Sequence, residues 1–262
     1  MFTPPKSFLA AILTLALAGP AIAAPQDGAA THEEVKGQDY QSCTSLVETD
    51  AGKALAYARD WKAHHGGDAA LHCEALALMA LGHADEAAAA FSDLATRLGG
   101  APASTQAEIY AQSGNAWALA ANPAKAEKAF DEAIRLAPDE PDYRLGRARI
   151  RAIAGQWEGV RLDAGEALAE QPNSAEALTL RAAALRNLGY PKAALNDAER
   201  AVAIAPHNLD ALLERGRVRA ASGDVAGARS DWEDVIRFAK AMGRSSDPSA
   251  SAAASALAQS GK

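Results

Sequence analysis

Prolines stand at 138, 172 and 206, and glycines at 155, 189 and 223, so that each set recurs every 34 residues. Gly114 and Gly216 lie three such periods apart. A chain that repeats at one fixed period of this size cannot close a core within a single repeat. It has to bury each repeat's apolar face on the next, so the period constrains the fold more than any local cue. Within each period an apolar stretch leads into a glycine turn, a second stretch follows, and a proline then ends it, since proline lacks the N–H that a continuing helix needs. Hydrophobic residues make up 49% of the chain but aromatics only 5%, and alanine supplies much of the difference. Alanine has the best helix propensity, and no run of β-branched alternation competes with it. The expectation is an all-α chain of paired helices packed closely through small side chains.

A unit started at Ala107 places Tyr110, Gly114, Ala126, Phe130, Ala133 and Pro138 at repeat positions 4, 8, 20, 24, 27 and 32. From Pro141 the same positions hold Arg144, Ala148, Val160, Ala164, Ala167 and Pro172. From Ala175 they hold Leu178, Ala182, Ala194, Ala198, Ala201 and Pro206, and from Leu209 they hold Leu212, Gly216, Ala228, Trp232, Val235 and Lys240. This pattern resembles the tetratricopeptide repeat family. Arg144 departs from it, as does Lys240 in place of proline. A unit from Asp68 also fits, through Leu71, Ala75, Gly82, Ala87, Phe91 and Leu94. It runs five residues long, and the excess is visible as the loop-like GGAPAST.

The resemblance covers residues 40–240 and implies a right-handed superhelical array of antiparallel helix pairs. The expected divisions are a degenerate first pair over 40–67, a repeat with a loop insertion over 68–106, and repeats over 107–140, 141–174, 175–208 and 209–242. In the degenerate pair, Tyr40 to Val47 would form the first helix and 51–61 the second. Residues 243–262 are Ser/Ala-rich and form either a capping helix or a loose tail.

Residues 1–23 read as a secretory signal: Lys6, then the apolar run FLAAILTLALA, then Ala21 and Ala23 in an A-x-A arrangement. The apolar run is short for a membrane span, which disfavours an uncleaved anchor. The chain is expected to be exported, to the periplasm if the source is bacterial, with no membrane insertion after cleavage. Residues 24–39 are polar and read as a disordered leader. Cleavage removes one lysine and no acid, taking the formal charge from −7 to −8. That sign disfavours nucleic acid and anionic membranes as partners. The two cysteines, Cys43 and Cys73, are either a disulfide, which export permits, or two small buried thiols.

No nucleophile elbow, zinc-protease helix, C-x-x-C or phosphate-binding glycine loop is present, and no cofactor is expected. His64, His65, His72 and Cys73 cluster in sequence but match no standard metal-ligand spacing. In the family, first helices line a concave groove that takes peptides. Its positions carry over to Asn115, Arg149, Arg186, Asn187 and Arg217, flanked by Asp142, Glu176 and Asp210. These are either donors for an extended peptide or a solvated helix face. The family's clamp for a C-terminal carboxylate is not matched, because its places hold Ala111, Asn115, Gly146, Glu176 and Leu180.

Arginines recur at position 7 (Arg147, Arg181, Arg215) and aspartates at position 23 (Asp163, Asp197, Asp231). The two earlier repeats carry neither. Joint presence and absence suggests ion pairs across a helix interface, within a repeat or to a neighbour, although duplication would leave the same pattern. The function expected is a non-enzymatic interaction scaffold in the cell envelope, holding a peptide or protein in the groove. The alternative is an accessory or assembly subunit of an envelope complex, acting as a rigid spacer through its convex face or ends. An enzyme site would have to sit in the irregular part, residues 40–100.

Overall fold

The computed structural model describes residues 32–260, and the expected signal segment lies outside them. Among the described residues there are thirteen helices and no strand. None of these helices is long and apolar enough to cross a membrane. The chain divides into two compact units, one ending at Leu136 and one beginning at Ala137. The first holds α1 (His32–Thr49), α2 (Ala51–Ala63), α3 (Gly67–Ala80), α4 (Ala84–Arg97), α5 (Ala103–Leu119) and α6 (Pro123–Leu136). The second holds α7 (Pro141–Ile153), α8 (Trp157–Glu170), α9 (Ala175–Asn187), α10 (Pro191–Ile204), α11 (Leu209–Ala221), α12 (Val225–Ala241) and α13 (Pro248–Ser260).

In the second unit α7, α9 and α11 begin at the repeat starts read from the sequence. Local chemistry sets these ends. Ser174 and Asn208 cap α9 and α11 by accepting from the N–H of Ala177 and Ala211, and Pro141 and Pro191 occupy the first turns of α7 and α10. The turn between paired helices is equally regular. Gly189 takes φ 84°, and Tyr190 N–H closes back on the Leu185 carbonyl at 2.8 Å, a left-handed helix stop. In the first unit Ala121 stands at this same repeat position with φ 55°, a conformation that costs a residue with a Cβ about 1 kcal/mol or more.

Packing follows the small-residue positions. Alanines 75, 148 and 182 at position 8, 87, 126, 194 and 228 at position 20, and 133, 167 and 201 at position 27 are all fully buried. In two repeats the ring at position 24 leaves room only for glycine at position 8. A Cβ added to Gly114 would lie 2.8 Å from the Phe130 ring, and one added to Gly216 would lie 2.4 Å from Trp232 Nε1. At Arg144, the departure from the pattern, the guanidinium turns back and donates to the Pro138 carbonyl.

Three expectations are corrected or resolved. The first helix starts at His32, so residues 32–39 are helical rather than a disordered leader. Once a helix has formed its first turns on a packed segment, extending it upstream needs only one residue fixed per added bond. The insertion after α4 is only partly a loop. Residues 103–106 add a turn to α5, which runs 17 residues against 13 in α7, α9 and α11. The Ser/Ala-rich C-terminal segment forms α13, whose Ala250 and Ala253 join the core made by Leu209, Leu212, Trp232, Val235 and Ala239. It covers the apolar side that the last full repeat would otherwise leave open.

Candidate functional site

In the second unit, successive first helices lie beside one another, and their side chains bridge from repeat to repeat. Arg149 on α7 donates through Nη1 to Glu176 Oε1 on α9 at 2.8 Å. Arg186 on α9 donates through Nε to Glu214 Oε1 on α11 at 2.7 Å. Arg217 Nη1 lies 3.4 Å from Glu214 Oε2. Glu214 is only 3% exposed, a carboxylate enclosed between two guanidinium groups. Arg149, Glu176 and Arg217 stay substantially in solvent. Three of the five expected groove residues therefore form one charged face, and each is already engaged with an acid of the same chain. Glu214 was not singled out in the sequence. Its position 6 lies outside the family's groove positions, and only the placing of α9 against α11 reveals it.

The other two candidates behave differently. Asn187 is exposed and turns its amide back to the Ala183 carbonyl at 2.8 Å. Asn115 is half-buried on α5, in the first unit. Of the flanking acids, Asp142 is exposed and Asp210 accepts from the hydroxyl of Ser249 on α13.

The position 7 and position 23 residues form ion pairs within each repeat. Arg147 reaches Asp163 through Nη2 at 2.6 Å, Arg181 grips Asp197 through Nε at 2.7 Å and Nη2 at 2.9 Å, and Arg215 meets Asp231 through Nη2 at 2.6 Å. All three aspartates are buried. Hydrogen bonding to Asp197 raises the Arg181 pKa above its ordinary value. Arg151 and Arg219, one helical turn beyond Arg147 and Arg215, add a second arginine at 2.9 Å to Asp163 and Asp231. Their signal was the four-residue spacing after Arg147 and Arg215, which Leu185 breaks after Arg181.

At the other end of the chain, Glu74 occupies position 7 and faces backward, accepting from Arg59 and Lys62 on α2. Burial pushes its carboxyl up, but these two cations outweigh burial and hold it below its ordinary value. The histidines and Cys73 do not converge. His64 faces the Asp60 carbonyl at 2.9 Å, whereas His72 lies between Tyr40 and Gln112 at 2.7 and 2.8 Å. Cys73 meets Cys43 at bonding distance, with Cα atoms 6.2 Å apart.

No protein-family model and no curated protein sequence matches the chain. Solved structures do. The type IV pilus biogenesis factor PilW superposes with a TM-score of 0.63 at 21% identity, covering 78% of this chain and 93% of its own. A tetratricopeptide repeat protein from Parabacteroides merdae gives 0.57 at 18% identity, covering 80% of each chain. YrrB, described as a tetratricopeptide repeat protein with an unusual peptide-binding site, gives 0.52 at 17% identity, covering 69% of this chain and 90% of its own. At these identities the likeness establishes the fold, which is that of the tetratricopeptide repeat.

Proposed function

We propose that this tetratricopeptide-repeat chain is a non-enzymatic interaction scaffold of the cell envelope. A partner peptide or protein segment would be held along the first helices α7, α9 and α11. The observation that carries the reading is the arginine–glutamate row on that face. Arg149 and Arg217 each spend a single Nη1 on a glutamate and remain partly exposed. A guanidinium has five N–H donors, so both retain donors for the carbonyls or carboxylates of an extended segment. The charged groups of the face are matched to each other, which suits holding a ligand rather than transforming one. Export belongs to the proposal and rests on the signal-like residues 1–23 and the paired cysteines.

The test compares partners captured from the envelope fraction by the wild type and by Arg149→Gln/Arg217→Gln. Arg186 is kept as the nearer countercharge of the enclosed Glu214, at 2.7 Å against 3.4 Å for Arg217. Recovery of the bound partner should fall about tenfold, a loss of roughly 1.4 kcal/mol. Equal recovery of the same partners by both would sink the groove reading.

A second reading, the rigid spacer, draws on apolar residues left open elsewhere in the second unit: Leu162 on α8, Tyr190 before α10 and Val225 at the start of α12. Loss of the complex in Leu162→Ser/Val225→Ser, with the arginine variant unaffected, would select it.

A further inference from the structure

The terminal helix α1 is held unlike any other first helix. It spans 18 residues, yet among its described side chains, from Asp39 onward, only Cys43 is fully enclosed. Helix α3, with 14 residues, buries eight. Other described side chains of α1 also tie it down. Tyr40 Oη donates to His72 Nδ1 at 2.7 Å, Asp39 accepts from Tyr57 Oη at 2.7 Å, and Val47 leans on the small cluster of Cys43, Ala58 and Cys73. Helices in proteins draw most of their stability from a packed face, and the described residues of α1 supply little of one. At the centre of that cluster the sulfur pair joins α1 to α3.

We infer that Cys43 and Cys73 form a redox latch on α1. As a disulfide the pair keeps α1 docked across α2 and α3. As two thiols it lets α1 leave, uncovering His72, Cys73 and Ala58. The opening step is a thiol–disulfide exchange with a dithiol reductant. One thiolate of the reductant attacks a sulfur of the pair, the S–S bond breaks, and a mixed disulfide forms. The second thiol of the reductant then displaces it, leaving a reductant disulfide and two protonated cysteines. Two electrons pass from the reductant to the pair. Both sulfurs are inaccessible when α1 is docked, so attack follows a local lifting of the helix, which its slight burial allows. This inference does not depend on where a partner binds.

The test uses hydrogen exchange on the full chain, oxidised and then treated with dithiothreitol, with thiols counted by alkylation. On reduction, exchange across residues 40–49 should quicken by about tenfold or more, while α7–α12 stay unchanged. Cys43→Ser/Cys73→Ser should show the same fast exchange without reductant. Tyr40→Phe, which keeps the sulfur pair, should stay protected when oxidised. Three results would overturn the latch: two free thiols in chain exposed to oxidant, unchanged exchange in fully reduced chain, or loss of protection throughout α3–α6 in place of α1 alone.

Discussion

A buried aspartate and the half-buried arginine paired with it inside a helix pair depend on each other. Asp197 is enclosed and takes two hydrogen bonds from Arg181, so losing the carboxylate leaves a guanidinium partly cut off from water and without its partner. Asp197→Ala should destabilise the chain by about 2–3 kcal/mol. Arg181→Ala/Asp197→Ala should cost less than the two single changes added together, with a coupling of about 1 kcal/mol or more. Urea unfolding of the four chains measures it, and strict additivity would show that the pair does not act as one unit. These pairs were legible in the sequence because partners within a repeat sit at a constant offset, 16 residues in each of the three. The bridges from Arg149 to Glu176 and from Arg186 to Glu214 were not. They run between repeats at offsets of 27 and 28, and no single recurring column exposes them.

Where α1, α3 and α5 meet, the balance turns on one imidazole. Burial lowers the His72 pKa, partly opposed by the hydrogen bond to Gln112 and by the charge of Glu108. Tyr40 faces it from α1 and Phe91 from α4. Folding thus favours the unprotonated ring. Its stabilisation is complete above the unfolded-state pKa of about 6.5 and is lost as pH falls through the lower folded value. Thermal unfolding at about pH 7.5 and 5.5 should show a larger acid-induced drop in midpoint for the wild type than for His72→Gln. Equal drops would exclude His72 as the source. At this scale the sequence reading was least complete. The extra turn of α5 lies in a segment of loop composition, and the upstream part of α1 in a polar one. Both are helical because a neighbouring packed helix extends into them, which composition alone does not report.

The architecture was the most legible level, since a 34-residue period with small residues at set positions leaves few other ways to bury an alanine-rich chain. The carboxylates that hold the second unit together and those that decorate its surface differ in access to solvent. Asp163, Asp197 and Asp231 are enclosed against half-buried arginines, whereas the Arg149–Glu176 bridge stands in water. Dissolved ions screen exposed charges beyond about 8 Å at physiological ionic strength and beyond about 3 Å in molar salt, but reach enclosed pairs poorly. Between about 0.05 and 1 M sodium chloride, helical circular dichroism and the unfolding midpoint should hold nearly constant. A steep salt-induced loss of helix would show that the enclosed pairs are open to solvent. Over that same range the Arg149–Glu176 bridge loosens. Ionic strength therefore acts on what the array's surface offers to another molecule while leaving what holds the array together untouched.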